Sequence, residues 1–270
     1  MADADGHMSS RGAGEGALFP DERMHAPMPN FKDDGKFLSF WANWKLTTRP
    51  RRVALLIDDA QEEYRPFAKQ ILPSLERLLA AFRDSDLPVV WSTWSRRFND
   101  GICNAMDRWY GPYGVTSKEN ACYIYGTEGT EVLTEIKPSA AELEKPNRFI
   151  YDSVMLDMFW RFDEKGRSLL DEKLRSLDVD TIILTGLWTD ECIVATAYAG
   201  LSRGYDVVVV SDAVDTATPN HAAALQVMRG TCSLVVTTEE VEEYVRTQLE
   251  TCPPGSFKGK AAPDGRLELS

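Results

Sequence analysis

The sequence predicts an α/β protein in which a mainly parallel central sheet lies between two layers of helices, a doubly wound three-layer sandwich. Short runs rich in Val, Ile and Leu alternate along the chain with segments whose apolar residues recur every three or four positions. The runs are apolar throughout, which is typical of strands buried on both faces of a parallel sheet. With 270 residues, 43% of them hydrophobic, the chain can build one substantial core.

Five predicted strands and five predicted helices make up this alternation. The strands are VALLI at 53–57, PVVWST at 88–93, TIILT at 181–185, DVVVV at 206–210 and CSLVV at 232–236. The helices fall at 70–82, 166–177, 190–204, 221–228 and 237–249. Residues 1–30 and 253–270 are rich in Gly and Pro and lack periodicity, so we expect a flexible leader and a flexible tail around one domain at 31–252.

Charge and composition narrow the range of partners. A net charge of −12 and a pI near 4.8 disfavour nucleic acid and anionic membranes, because both require clustered Lys and Arg. The sequence has no apolar run of membrane-spanning length and no secretory signal pattern, so we expect a soluble cytoplasmic protein with a small-molecule partner. Five cysteines without a C-x-x-C pair and three histidines predict no disulfide framework, no metal and no cofactor.

Cys192 is the first candidate for chemistry. It follows the strand TIILT and falls in the first turn of the next helix, at the sheet edge where open α/β folds bind ligands. The positive end of a helix and its backbone N–H groups favour a thiolate, and the same groups can hold an oxyanion. The alternative is a small apolar cysteine buried in the core.

Two motifs give Cys192 a context. The nucleophile turn reads GLWTDEC from Gly186 to Cys192, and the first strand ends in Ile57-Asp58-Asp59-Ala60-Gln61. Together with Thr196-Ala197, Gly204-Tyr205 and Ser211-Asp212-Ala213, these motifs resemble those of the isochorismatase-like cysteine hydrolases. The resemblance covers about residues 51–247.

The resemblance implies an Asp-Lys-Cys triad. Asp59 would take the thiol proton, Cys192 would attack a carbonyl to form a thioester, and the N–H groups of Trp188 and Cys192 would bind the oxyanion. It also implies a cis peptide at Leu187–Trp188 and a homo-oligomer. Lys145 is the favoured cation, since the guanidinium of the alternative, Arg148, cannot exchange a proton and would act only as an electrostatic clamp.

The substrate is less well determined. Trp94, Trp109 and Tyr110, with Arg148, are candidate substrate contacts through stacking and forked hydrogen bonds. The histidines of nicotinamidase-like members are missing after the second strand, which argues against a metal and against nicotinamidase activity. We expect hydrolysis of a C–N bond in an amide, carbamoyl or ring-amide substrate.

Two alternatives remain open. An isochorismatase would act on a vinyl ether, but such members typically have a small residue in place of Cys192. A protein that kept the fold for binding alone is the second alternative, since fold does not determine function.

Overall fold

The computed structural model describes residues 52–96 and 125–251, and their strands form one six-stranded sheet in the order β3-β2-β1-β4-β5-β6. Every pairing in this sheet is parallel. The strands are β1 (Val53–Asp58), β2 (Val89–Trp94), β3 (Arg148–Ser153), β4 (Thr181–Leu187), β5 (Asp206–Asp215) and β6 (Leu234–Val236). The predicted α/β class is confirmed.

Helices cover both faces of the sheet. They are α1 (Leu72–Asp84), α2 (Leu169–Ser176), α3 (Val194–Ser202), α4 (His221–Thr231) and α5 (Thr238–Thr251). The apolar sides of α1 and α5 pack on one face, while those of α2, α3 and α4 pack on the other. Shorter helical turns occur at Glu62–Tyr64, Arg65–Ala68, Glu128–Thr130 and Ala140–Leu143.

The strand β3 was not among the five predicted from apolar runs. Its sequence, RFIYDS, is buried at Arg148 and at its last two residues but is more exposed in the middle, because β3 lies at the edge of the sheet. An edge strand lacks the continuous apolar character of a strand buried on both faces. Its omission matters, because the position of the triad lysine was inferred in this region.

The order of the strands creates a crevice between β1 and β4. From β1 the chain proceeds outward through β2 to β3, and it then returns to place β4 on the other side of β1. Doubly wound sheets bind ligands at such a switch point, outside the carboxyl ends of the two strands. Asp59 directly follows β1, and Cys192 follows β4 after a short turn.

Several predictions fall outside the described residues. They are the leader at 1–30, the tail at 253–270 and the candidate substrate contacts Trp109 and Tyr110. Across residues 52–96 and 125–251, no helix is long and apolar enough to cross a membrane.

Candidate active site

The carboxyl ends of β1 and β4 approach each other closely at Gly186. Gly186 pairs with Asp58 and has a φ of 105°, in a region that favours glycine. A Cβ atom at this position would lie 1.9 Å from the backbone oxygen of Asp58. Glycine is therefore required here, and it allows the loops that follow the two strands to meet.

Asp59 and Cys192 meet at this point. Their side chains are almost fully buried, with exposed fractions of 2% and 3%. Asp59 has a φ of 47°, a left-handed conformation that aspartate tolerates better than most residues and that turns the chain sharply out of β1. The thiol of Cys192 donates a hydrogen bond to the Asp59 carboxylate.

Gln61 holds this turn against the neighbouring strand. Its side-chain amide donates to the backbone oxygen of Trp94 over 3.0 Å, and its side-chain oxygen accepts from the backbone N–H of Trp94 over 2.6 Å. The Gln61 amide thus makes two hydrogen bonds to the backbone of one residue, Trp94. The carboxyl ends of β1 and β2 are thereby joined beside Asp59.

Burial governs the proton affinity of the pair. It raises the pKa of Asp59 to about 7, against hydrogen bonds from Cys192 and Ser92 that lower it. Burial also raises the pKa of the Cys192 thiol well above its usual range, and the negative charge of Asp59 raises it further. The expectation that the helix end favours a thiolate is thus corrected, because desolvation outweighs it. The resting pair is a thiol beside a carboxylate that accepts its proton.

Cys192 lies in an irregular first turn. Residues Thr189–Ile193 form a π-helical turn in which the carbonyl of Trp188 accepts from the N–H groups of Glu191 and Ile193, both over 3.1 Å. The Leu187–Trp188 peptide is cis. The backbone of Trp188 donates a hydrogen bond to the Cys192 thiol, which lowers its pKa in part. An N–H group thus points at the reacting sulfur.

A cavity of about 200 Å³ opens beside the pair. Aromatic and apolar side chains make up much of its wall, and the ring of Trp188 is held edge-on by Tyr64 and Phe67 at centroid distances of 4.8 and 5.1 Å. The lining residues are Asp59, Tyr64, Trp94, Leu156, Trp188, Glu191, Cys192, Thr216, Ala217 and Thr218. The structure therefore brings Trp94, predicted from the sequence, to the wall of the cavity.

Asp190 connects the nucleophile turn to the loop after β5. Its carboxylate accepts from the hydroxyls of Thr216 and Thr218 over 2.6 and 2.5 Å, and from the amide of Asn220 over 3.1 Å. His221, for which the sequence predicted no role, contacts the Thr189 hydroxyl over 2.9 Å through Nδ1. One wall of the cavity is thus fixed to the turn that carries Cys192.

The comparison with known families agrees with this geometry. The family model described as the isochorismatase domain matches residues 53–240, which include both Asp59 and Cys192. The chain belongs to the isochorismatase family. The resemblance found in the sequence is therefore confirmed.

Related proteins of known name support the same assignment. Enterobactin synthase component B of Escherichia coli (strain K12) is 26% identical over 200 residues, which cover 71% of this chain and 63% of that protein. The match thus spans less than two thirds of that relative's length. N-carbamoylsarcosine amidase from Thermoplasma acidophilum is 27% identical with a TM-score of 0.55, over 70% of this chain and 97% of that one.

A more distant structure shares the fold alone. The nicotinamidase/pyrazinamidase PncA from Bacillus subtilis is 23% identical with a TM-score of 0.57, over 68% of this chain and 99% of that one. The family match confirms the predicted isochorismatase-like family, and the structural relatives confirm its α/β fold.

The strand end at which the family resemblance implies a lysine carries acidic and hydroxyl groups in this chain. Asp152 is nearly buried at the carboxyl end of β3 and pairs with Thr93 of β2. Its side chain accepts a hydrogen bond from Ser95, and the guanidinium of Arg161 lies 3.4 Å from its Oδ2 atom. The Asp152 charge helps to raise the pKa of Asp59. A lysine would have the opposite effect.

The placement of Lys145 and Arg148 corrects the sequence prediction. Arg148 is the first residue of β3 and pairs with Val89, the first residue of β2, so it lies at the amino edge of the sheet. A six-residue strand spans about 16 Å, which separates this edge from the carboxyl edge where Asp59 and Cys192 meet. Lys145 precedes Arg148 and lies 3.2 Å from Asp86 with its side chain 52% exposed. Neither cation reaches the candidate site.

Replacing Lys145 with alanine is therefore expected to leave the site unaffected. Because an exposed ion pair contributes at most about 1 kcal/mol, Lys145→Ala should change the free energy of unfolding by less than that amount. The rate at which iodoacetamide alkylates Cys192 should stay within about twofold of the wild type. Peptide mass spectrometry measures this rate for each cysteine, and a tenfold loss at Cys192 would restore Lys145 as a member of the triad.

Arg148 provides the contrasting variant. Its side chain is only 1% exposed, and it donates to the backbone carbonyls of Leu87 and Phe82 and to the carboxylate of Glu142. Arg148→Met leaves the carbonyls of Leu87 and Phe82 without this donor, whereas Glu142 keeps its two hydrogen bonds from Arg83, so the change should cost about 3 kcal/mol of folding free energy. At temperatures where this variant stays folded, alkylation of Cys192 should still match the wild type, since Arg148 supports the opposite edge of the sheet.

Two polar residues next to the pair were not predicted. The sequence motif contains Asp58 without giving it a role, and Ser92 is part of a predicted strand. Both are buried beside Asp59, with Ser92 Oγ 2.7 Å from Asp58 Oδ1 and 3.1 Å from Asp59 Oδ1. Among the residues that the structure describes, no group of three or more His, Cys, Asp or Glu side chains is arranged to hold a metal ion.

Proposed function

We propose that this protein hydrolyses a C–N bond of a small amide, carbamoyl or ring-amide substrate through a thioester on Cys192. One observation carries the proposal: the Cys192 thiol and the Asp59 carboxylate are buried together, within hydrogen-bonding reach of each other, in the wall of one cavity. A carboxylate with a pKa of about 7 is well matched to remove a proton near neutral pH. A cysteine nucleophile suits acyl transfer better than hydrolysis of a vinyl ether.

The reaction proceeds in two halves. Asp59 takes the thiol proton as the sulfur of Cys192 attacks the carbonyl carbon, and the oxygen that gains the negative charge is bound by the N–H groups of Trp188 and Cys192. The C–N bond then breaks, Asp59 returns the proton to the leaving nitrogen, and a thioester remains. Water adds to the thioester while Asp59 takes its proton, and loss of the thiol releases the carboxylic acid or its carbamoyl equivalent.

In this scheme Asp59 and Cys192 act as a pair without the predicted lysine. The thiolate is stabilised because Asp59 becomes neutral when it takes the proton, and because the Trp188 backbone N–H faces the sulfur. No neighbouring ammonium takes part in the scheme. Trp94 and Trp188 offer flat apolar surfaces to a planar substrate. Small amides with an apolar or aromatic body are therefore the first candidates to test.

The proposal is tested by trapping the thioester. The protein is mixed with a panel of amide, carbamoyl and ring-amide compounds, quenched in acid, and examined by intact and peptide mass spectrometry. An acyl adduct on Cys192 that disappears as free acid accumulates is the expected result. Cys232→Ala serves as the matched control, because Cys232 is also buried but does not line the cavity.

Cys192→Ala distinguishes the alternatives. It should abolish both the adduct and amide turnover, since the nucleophile is gone. Hydrolysis of isochorismate that persists in Cys192→Ala would instead favour the vinyl-ether reaction, which needs no thioester. Binding of compounds without turnover in the wild type would favour a protein that kept the fold for binding alone.

A further inference from the structure

A second buried carboxyl lies behind Asp59 and is not used by the proposed reaction. Asp58 is the last residue of β1, and its side chain is 1% exposed. The Ser92 hydroxyl lies 2.7 Å from its Oδ1 atom, and the Thr196 hydroxyl donates to its Oδ2 atom over 3.3 Å. Because the two carboxyls are adjacent, buried and share one hydroxyl, their protonation states depend on each other.

The hydrogen bonds of the Ser92 hydroxyl show how many protons the two carboxyls hold. Its oxygen is 2.7 Å from Asp58 Oδ1, 3.1 Å from Asp59 Oδ1 and 3.3 Å from the Asp59 backbone N–H, which donates to it. A serine hydroxyl carries one proton and can donate only one hydrogen bond, although it can accept two. If both carboxyls were ionised, one of the two short contacts would join two acceptors. One carboxyl must therefore hold a proton and donate it to Ser92.

The contacts of the two carboxyls decide which one holds the proton. Asp59 already accepts from Cys192, as a carboxylate does. Thr196 accepts the backbone N–H of Met158 over 3.0 Å and so directs its own proton to Asp58 Oδ2, which leaves Asp58 Oδ1 to donate to Ser92. Burial and the adjacent Asp59 charge raise the pKa of Asp58 well above its usual range.

We infer that Asp58 is a neutral carboxylic acid that donates to Ser92, and that Ser92 in turn donates to Asp59 and holds it as the ionised base. This inference rests on the proposed function, in which Asp59 is that base. Asp58 is then a positioning residue, because it acts on the reacting thiol only through Ser92 and Asp59. The unit of two aspartates and one serine carries a single negative charge.

The groups around Asp58 agree with this assignment. Tyr151 of β3 is neutral because burial raises its pKa, and Cys192 is a thiol for the same reason. Asp157, which follows β3, places a further acidic group nearby and raises the pKa of Asp58. The titratable groups that influence Asp58 from these elements are Asp59, Tyr151, Asp157 and Cys192. None of the four is a cation that would favour an ionised Asp58.

Infrared spectroscopy tests the protonation state directly, without a substrate. In D₂O at pH 8, the carbonyl stretching band of the protonated Asp58 carboxyl is expected in the wild type and in Asp59→Asn, and it should be missing from Asp58→Asn. The band should therefore appear when the spectrum of Asp58→Asn is subtracted from that of the wild type. Buried acids elsewhere contribute equally to all three proteins and cancel. The inference is wrong if the wild type and Asp58→Asn have the same spectrum in this region. If Asp58→Asn does not fold, the absence of the band from both the wild type and Asp59→Asn contradicts the inference instead.

The pH dependence of Cys192 alkylation tests the connection through Ser92. Asp58→Asn replaces one neutral donor with another, so the midpoint should stay within about half a pH unit. Ser92→Ala removes a hydrogen bond to the Asp59 carboxylate, so the midpoint should rise by about one unit. A midpoint that falls by more than about one unit in Asp58→Asn would mean that Asp58 was charged. A wild-type Cys192 that does not react at all would instead contradict the proposed function and leave the infrared result standing.

Discussion

Asp59→Asn is expected to slow the alkylation of Cys192 by iodoacetamide at pH 7.5 by about 100-fold, because general bases typically contribute factors of 10² to 10⁴. The amide of asparagine cannot accept the thiol proton, and the pKa of the buried thiol lies well above its usual range. Without the base, almost no thiolate forms. Hydrolysis of any amide substrate should fall by the same factor or more, since Asp59 acts in both halves of the reaction.

The wild-type rate should rise with pH through the pKa of Asp59, which is about 7. Below that value the carboxyl is protonated and cannot act as a base. In Asp59→Asn this inflection should vanish and only the late rise from direct ionisation of the thiol should remain. Asp84→Asn is the matched control, because Asp84 is exposed at the end of α1. Identical pH profiles for wild type and Asp59→Asn would remove Asp59 from the mechanism.

The positions of Asp59 and Cys192 at one edge of the sheet have a physical reason that the sequence contains. Asp59 directly follows β1, and Cys192 follows β4 after a short turn; the apolar runs of both strands are continuous, because β1 and β4 are central and buried on both faces. The ends of such strands can be located within one or two residues. In a parallel sheet the carboxyl ends of neighbouring strands share one edge, so the pairing of Asp59 with Cys192 that the family resemblance implies agrees with where these two strands end.

The prediction of Lys145 failed where the strand signal was weak. The edge strand β3 begins at Arg148, and its polar ends and exposed middle leave no continuous apolar run to mark where it begins and ends. Chemistry and spacing alone favour Lys145 and Arg148, and neither property shows which end of a strand these residues occupy. The structure places them at the amino edge, where Arg148 binds backbone carbonyls.

The relation between Asp58, Ser92 and Asp59 could not be read from the sequence. It depends on the register of β1 against β2, in which Ile57 pairs with Trp91 and the next residues along each strand come together. Sequence periodicity predicts which residues are apolar, but it does not give this register. The left-handed turn at Asp59, which brings its side chain to the same hydroxyl as that of Asp58, is also not encoded in a pattern of apolar residues.

The same buried carboxylate should make the protein less stable as pH rises, and Asp59→Asn should remove that effect. The pKa of Asp59 is raised from 3.8 to about 7, so between these values the folded protein binds a proton that the unfolded chain has released. Stability from this group is therefore fully present below pH 4 and is lost as pH rises towards 7. A difference of about three pKa units corresponds to about 4 kcal/mol.

Urea unfolding of wild type and Asp59→Asn from pH 4.5 to 8.5 measures the effect as a difference between the two proteins. The variant should gain free energy of unfolding relative to the wild type as pH rises, by about 3 kcal/mol across this range and with most of the gain below pH 7. Asp84→Asn should show no such trend, since its carboxyl is exposed. A difference that stays constant with pH would mean that Asp59 is ionised in the folded protein throughout. The expected trend means that the carboxylate needed to accept the thiol proton is held in place at a cost to folding, which the rest of the parallel sheet must offset.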